Sequence, residues 1–271
     1  MKKYIIFLLL IVYLFGDGVG RLKSSNLTTN YFLLNNRWLK SGNYSKKSIN
    51  IENKSFVLKH YIKNSSKIEP IIIGGFGFSS LNKGNIDTKF LKIGTGLKYN
   101  FSKSSSFDFG ITNMWLKSSV KNYNNSINGN IKEIFFLTKY KKDYNSTTLS
   151  NSFSLHYQNI GYGKSFNKVK GFSGDVELSL LKHNIGYFYD MPLSLKGYVV
   201  TSLVDDKLSK EIGFNYATSV GANLFVKIGN YVPIYKEKLK NLNLNLSAQV
   251  TKGNNDFKGY KLGVGLKLLK F

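Results

Sequence analysis

The chain has 271 residues, of which 42% are hydrophobic and 15% aromatic, and its formal charge is +24 at pH 7. It contains no cysteine, which excludes disulfide bonds, thiolate metal sites and a cysteine nucleophile. The lysines are spread along the chain rather than gathered in a run, so the charge by itself identifies no nucleic-acid partner and none is expected.

The first twenty residues have the order of a secretory signal peptide. Two lysines precede an apolar run from Tyr4 to Phe15, and Gly18 and Gly20 follow it. The run is shorter than the roughly 20 apolar residues that a helix needs to cross the hydrocarbon core. We therefore expect residues 1–20 to be a signal peptide cleaved after Gly20, with an uncleaved membrane anchor as the alternative.

From residue 30 onward, apolar and polar residues alternate in segments separated by Gly, Asn and Ser, and no helical period appears. Alternation of this kind predicts β-strands, and the pattern repeats often enough for twelve of them. The predicted strands lie at 30–40, 51–62, 69–79, 88–101, 105–117, 129–140, 147–158, 175–189, 193–204, 211–229, 241–252 and 258–271. After a short N-terminal lead at 21–29, we expect one all-β domain at 30–271.

The connections between the predicted strands alternate in length. Those after odd-numbered strands are mostly long and polar, and those after even-numbered strands are mostly tight. Aromatic residues fall near both strand ends, for example Trp115 at a long-loop end and Phe101 at a short-turn end. Long loops on one rim, short turns on the other and aromatics at both are typical of outer-membrane barrels. We expect an antiparallel up-and-down transmembrane barrel in the bacterial outer membrane, in contact with its lipid and lipopolysaccharide.

The stretch NLNLNLSAQV shows the two faces of a predicted strand. Its apolar residues, from Leu242 to Val250, are predicted to face lipid, and the intervening residues, from Asn241 to Gln249, to face the lumen. The charged residues at inward positions of the predicted strands are Lys92, Lys98, Asp108, Glu177, Lys196, Lys227, Lys261 and Lys267. Lysines outnumber acids in this set, which favours a narrow anion-preferring pore. Ion pairing or hydration inside a closed lumen is the alternative.

The chain ends in YKLGVGLKLLKF. Leu266 and Leu268 share the lipid-facing parity of this strand, but Leu269 and Phe271 fall on the other parity, which predicts a β-bulge near Leu268 and Leu269. Bacterial outer-membrane barrels resemble one another in ending on such a strand with a terminal Phe. The resemblance implies that Leu266, Leu268 and Phe271 form a C-terminal signal for the barrel assembly machinery.

The end segment NLNLNLSAQVTKGNNDFKGYKLGVGLKLLKF, together with the strand count, resembles the twelve-stranded translocator domain of autotransporters and, more loosely, porin-like barrels. The resemblance covers about residues 30–271 and implies a helix that threads the pore and a large passenger upstream. Only RLKSSNLTTN separates the expected cleavage site from the first predicted strand. We therefore expect a barrel of this type without a passenger.

Two alternative functions follow from other residues. Basic side chains in the predicted outer loops would suit an adhesin that binds polyanions, and they are Lys121, Lys164, Lys168 and Lys170. A barrel hydrolase would need a site such as His156 with Ser152 and Ser154, which share inward parity, but no acid that would orient the imidazole is evident. Asp205 and Asp206 fit the tip of a hairpin. No catalytic residue, metal site or cofactor is predicted.

Overall fold

The fold is a closed antiparallel barrel of twelve strands in which each strand pairs with its neighbours in sequence and the first pairs with the last. The computed structural model describes residues 24–39, 41–46, 49–62, 67–82, 85–120, 126–162, 168–229 and 242–268. The strands are β1 (Gly42–Lys46), β2 (Ile49–Tyr61), β3 (Ile68–Leu81), β4 (Ile86–Asn100), β5 (Ser105–Val120), β6 (Ser126–Tyr144), β7 (Thr147–Tyr162), β8 (Val169–Phe188), β9 (Met191–Val204), β10 (Tyr216–Lys227), β11 (Leu242–Gly253) and β12 (Lys258–Leu268).

Two helices accompany the strands. Helix α1 (Ser24–Asn35) precedes the barrel in the chain, and helix α2 (Asp206–Ile212) lies between β9 and β10. Within the described residues, neither helix is long and apolar enough to cross a membrane.

The strands alternate between an apolar outer face and a lumen face, which is polar in β11. In β11, Leu246 is 40% exposed and Val250 63%, whereas Asn243 is 1% exposed and Gln249 4%. The other strands continue the apolar outer face, which includes Leu91, Ile93, Leu97, Ile111, Phe153, Leu178, Val199, Leu262 and Val264. Exposure of so large an apolar surface to water would be unfavourable, whereas lipid chains can cover it without that cost.

The first predicted strand, at 30–40, is wrong. Residues up to Asn35 form helix α1 inside the lumen, and the first strand is Gly42–Lys46, in the segment expected to be a loop. The side chain of Asn36 accepts hydrogen bonds from the backbone N–H groups of Trp38 and Leu39, which turns the chain at the end of the helix. The strand count stays at twelve because β1 replaces the predicted strand, and the expected domain start at residue 30 falls inside α1.

The tenth predicted strand, at 211–229, begins too early. The segment that precedes β10 is helix α2, and Asp205 is its N-cap, with its side chain accepting a hydrogen bond from the Leu208 backbone N–H at 2.8 Å. Gly213 ends the helix with φ of +79°, a conformation that glycine adopts without steric cost. Asp205 and Asp206 therefore begin a helix instead of forming a hairpin tip.

Candidate functional site: a plugged and charged lumen

Helix α1 lies inside the half of the lumen nearest the long loops and is bonded to the wall on several sides. The Thr29 hydroxyl donates to the Ile212 carbonyl at 2.9 Å, and the Tyr31 and Ser118 hydroxyls are hydrogen-bonded at 2.8 Å. Burial raises the pKa of the Tyr31 phenol, so this hydroxyl stays protonated. At the other end of α1, Asn35 Oδ1 accepts from the Lys92 ammonium at 2.7 Å. The helix is thus held from the rim to the middle of the barrel.

An apolar core surrounds α1 and closes this half of the lumen. Tyr31, Phe32, Leu33 and Leu34 of the helix are all buried to 1% exposure or less. They pack against side chains contributed by strands around the barrel and by α2, including Tyr44, Ile51, Leu81, Ile86, Phe90, Met114, Leu116, Ile131, Ile160, Val204, Leu208, Phe214 and Phe257. We call α1 and these side chains the plug. The plug therefore fills the centre of this half of the lumen with buried apolar side chains.

The other half of the lumen, toward the short turns, is charged, and we call it the chamber. Its first cluster centres on Asp108, which is fully buried. The Asp108 carboxylate accepts from the ammonium groups of Lys59 at 2.7 Å and Lys139 at 3.0 Å, and from the Tyr61 hydroxyl at 2.9 Å. One carboxylate on β5 therefore neutralises part of a pair of lysines, of which Lys139 lies on the adjacent strand β6 and Lys59 on β2.

The second cluster centres on Glu133, which joins the chamber to the plug. Its carboxylate accepts from the Lys92 ammonium at 2.9 Å and from the Thr112 hydroxyl at 2.8 Å. The same carboxylate lies 2.8 Å from Nδ1 of His156. Because Lys92 also donates to Asn35, this ion pair continues directly to the C-terminal end of α1.

The third cluster centres on Glu177. The Lys196 ammonium donates to its carboxylate at 2.8 Å, and the Ser152 hydroxyl donates at 3.0 Å. Arg37, two residues beyond α1, lies 3.5 Å from the same carboxylate, and its guanidinium covers the ring of Trp38. The chain segment after the plug is thus attached to the wall by charge as well as by packing.

The predicted inward residues lie in the lumen where their side chains are described, but they form separate clusters and not one site. Lys92, Asp108, Glu177 and Lys196 belong to the clusters above, and Lys98 pairs with Glu69 at 3.2 Å. Lys227 and Lys261 are half-buried on inward positions of β10 and β12. Lys267 lies in β12, but its side chain is outside the description.

Several lumen residues were missed from the sequence, namely Arg37, Lys59, Tyr61, Glu69, Glu133, Lys139 and Asp175. The signal for most of them was present, since Lys59 and Tyr61 share one parity of β2, and Glu133 and Lys139 share one parity of β6. Arg37 could not be found in this way because its segment was assigned to a strand.

His156 occupies a different environment from the one expected. An acid does orient its ring, namely Glu133, and its Nε2 lies 3.8 Å from an Asp175 carboxylate oxygen. The Ser154 hydroxyl donates to that carboxylate at 3.0 Å. In the described part of the chain no serine hydroxyl is bonded to His156, so the geometry is that of a charge network and differs from a nucleophile and its base.

The other predicted functional residues lie at the rims or outside the description. Lys168 and Lys170 are exposed at the long-loop rim, while Lys121 and Lys164 lie outside the described residues. Of the predicted C-terminal signal, Leu266 pairs with Leu244 and Leu268 with Leu242 in the ladder between β12 and β11, and nothing more of their side chains is described. Phe271 and the predicted bulge at Leu269 also lie outside the description. No group of metal-ligating side chains occurs among the residues described.

Comparison with solved structures places the fold among outer-membrane β-barrels. The β-domain of the Bordetella autotransporter BrkA superposes with a TM-score of 0.51 at 10% identity, covering 82% of this chain and 95% of that one. The NanC porin has a TM-score of 0.43 at 8% identity, covering 84% and 97% of the two chains. LpxR from Salmonella typhimurium has a TM-score of 0.41 at 9% identity, covering 88% and 95%. No protein-family model matches the chain, and no curated protein matches it. The chain has the fold of an autotransporter β-domain, a closed twelve-stranded barrel.

Proposed function

We propose that the protein is an integral protein of the bacterial outer membrane that forms an anion-preferring passage, and that α1 keeps this passage closed. The observation that carries the proposal is the contrast within one lumen, where an apolar plug seals one half and a cationic chamber fills the other. Buried charges are costly to place inside a protein, so the excess of positive charge in the chamber supports a role in handling anions.

The apolar outer face supports the membrane location. Leu91, Ile93, Leu97 and Ile111 on neighbouring strands are each about half exposed, at 50 to 55%. Lipid chains can cover these side chains without cost, and β3 to β11 each pair with a neighbouring strand on both sides.

The balance of charge supports the preference for anions. The inward cations among the described residues are Arg37, Lys46, Lys59, Lys92, Lys98, Lys139, Lys196, Lys227 and Lys261. The inward acids are fewer, and they are Glu69, Asp108, Glu133, Asp175 and Glu177. A passage with excess positive charge lowers the energy of an entering anion and raises that of a cation.

Conductance in a planar bilayer tests the proposal. We expect the mature wild-type chain to be silent and a variant that lacks residues 24–35 to show steady steps that prefer chloride to potassium. Phe32→Glu is a second way to open the plug, since it puts a charge into the apolar core while leaving every strand intact, and Phe32→Leu is its matched control. Folding is verified by heat-modifiable migration in electrophoresis. Folded opened variants that stay silent, or that prefer potassium, would overturn the proposal.

A second candidate function is polyanion binding at the cell surface. The observation that favours it is the exposure of Lys168 and Lys170 on the long-loop rim. Joint replacement of Lys121, Lys164, Lys168 and Lys170 by Gln should abolish binding to heparin or lipopolysaccharide if the loops are the binding surface. Binding that survives the replacement, or that depends on the chamber residues instead, would dispose of this function.

A further inference from the structure

The barrel wall is closed by a strand that covers only part of its height. Strand β1 has five residues, and its lowest pairs are Gly42 with Asn53 of β2 and Asn43 with Tyr260 of β12. Below these pairs, among the described residues, no strand pairs with the free edges of β2 or β12. The described residues therefore leave an opening in the wall on the short-turn side of β1, and we call this opening the slot.

The two edges of the slot are residues 54–61 of β2 and residues 261–268 of β12. The bond between the Ser41 and Ser55 hydroxyls, at 2.8 Å, marks its upper end. If the register of β1 is continued, Val57 stands opposite Gly265 with one strand position between them that no described strand occupies. Neighbouring strands lie about 4.8 Å apart, so this register places the edges about 10 Å apart. A Cβ built on Gly265 meets no described atom within 4 Å, so there is room for a ligand atom beside this position.

Outside the slot, the barrel surface is apolar. Phe56 and Leu58 flank it on β2, at 58% and 57% exposure, and Leu262 and Val264 flank it on β12, at 78% and 75%. In hydrocarbon, the unpaired N–H and C=O groups of two strand edges would each cost several kcal/mol. The slot therefore requires an occupant that brings polar atoms to the edges and apolar atoms to the outer face.

Inside the slot, the chamber supplies positive charge. Lys261 points inward from β12, and among the described residues it forms no hydrogen bond and no ion pair. On the β2 side, Lys59 shares Asp108 with Lys139, so this cluster carries one acid for two lysines. Val57 packs against an apolar patch of Ile71, Ile73 and Phe135 on the adjoining wall.

We propose that the slot is a binding site for a phospholipid with an anionic headgroup, taken from the membrane leaflet on the short-turn side. The phosphate lies in the chamber beside Lys261, the glycerol and ester oxygens lie between the strand edges, and the acyl chains pass out over Leu262 and Val264. An inserted peptide strand would satisfy the same edges but would bring no phosphate to the Lys261 ammonium, which has no acidic partner among the described residues. The inference requires the barrel to lie in a bilayer, as proposed above, but does not require the plug to open.

The two tryptophans of the chain allow a direct test, because Trp38 lies in the lumen, three residues before Ser41, and Trp115 lies on the outer face. Trp115→Phe leaves Trp38 as the sole reporter. This variant is reconstituted into phosphatidylcholine vesicles that contain either brominated phosphatidylglycerol or brominated phosphatidylcholine, with bromine on the acyl chains in both. We expect quenching of Trp38 to be several-fold stronger with the phosphatidylglycerol.

Matched variants locate the site. Lys261→Gln and Gly265→Phe should remove the preference for phosphatidylglycerol. Their controls, Lys252→Gln and Gly197→Phe, change outward positions away from the slot and should preserve it. Equal quenching by both lipids, or a preference that survives Lys261→Gln, overturns the proposal. So does protection of residues 54–61 from hydrogen exchange in pure phosphatidylcholine, which would indicate a polypeptide strand in the slot.

The outer tryptophan separates this inference from the proposed function. In Trp38→Phe, Trp115 reports only on contact with bulk lipid. Quenching of Trp115 by both brominated lipids, together with silence of Trp38, overturns the lipid site and leaves membrane insertion intact. Silence of Trp115 would overturn the membrane location itself.

Discussion

The two halves of the lumen are filled by different kinds of side chain. Toward the long loops, the inward side chains are Leu, Ile, Phe and Met, and they close on a helix that belongs to the same chain. Toward the short turns, the inward side chains include lysines and acids that pair between neighbouring or nearby strands. Burial of apolar area in the plug stabilises the folded protein, whereas desolvation of the charged groups in the chamber opposes folding. This difference is the basis for the two proposals above, a closed passage in one half and anion binding in the other.

The largest expected effect comes from breaking a chamber cluster. Glu133→Ala leaves the Lys92 ammonium buried at 8% residue exposure without its carboxylate, and it also removes the partner of His156. Removal of one partner of a buried ion pair costs about 3–5 kcal/mol. We expect a loss of that size in the free energy of unfolding, measured by urea titration in lipid vesicles.

The control for this prediction is Lys54→Gln, which breaks the exposed pair of Lys54 with Glu52 on the outer rim. An exposed pair contributes about 0–1 kcal/mol. Should Glu133→Ala cost no more than Lys54→Gln, the chamber would be hydrated enough to solvate its charges, and its contrast with the plug would be much weaker.

The next effect comes from the plug. Leu34 is 1% exposed on α1, and Leu34→Ala removes its side chain from the apolar core. Leu→Ala changes in well-packed cores cost about 2–5 kcal/mol. We expect hydrogen exchange of residues 27–35 to accelerate accordingly, while the strands stay protected, because the helix is released without unfolding of the barrel.

The matched control on the outer face is Leu91→Ala, at a position that is 55% exposed. It should leave exchange in α1 unchanged. If Leu34→Ala destabilises the strands as much as the helix, the plug and the barrel form one cooperative unit, and a movable plug would be ruled out.

Much of the wall could be predicted from the sequence, and the plug could not. The parity of β4 and β11 identified Lys92, Lys98 and the inward asparagines, because one face of each strand meets an apolar environment and the other does not. In residues 30–40, however, Tyr31 to Leu34 form an uninterrupted apolar run that is buried on all sides in the lumen. A run surrounded by protein shows neither the period of a strand nor that of a helix, so the pattern could not distinguish the two.

Ion pairing in the lumen was the alternative drawn from the sequence, but the partners in each pair could not be predicted. Parity places Lys59, Asp108 and Lys139 in the lumen, but their contact depends on how far each strand is shifted against the next around the barrel. Alternation with a period of two is unchanged by a shift of two residues, so it does not determine that register. The slot could not be predicted either. It follows from the short length of β1, and the sequences of the β2 and β12 edges that β1 leaves unpaired give no sign of it.

The smallest expected effect lies where α2 adjoins the plug. One carboxylate oxygen of Asp205 accepts from the Leu208 N–H at 2.8 Å and the other from the Phe172 N–H at 2.9 Å, so this side chain caps α2 and ties it to β8. Loss of an N-cap costs about 1 kcal/mol. We expect Asp205→Ala to lower the free energy of unfolding by about that amount, and Asp205→Asn, which keeps an acceptor oxygen for the cap, to lower it less. Because Leu208 and Ile212 of α2 belong to the plug, Asp205→Ala should also quicken exchange in α1 slightly. An unchanged α1 would mean that the strands alone hold the helix in place, and that α2 only covers it.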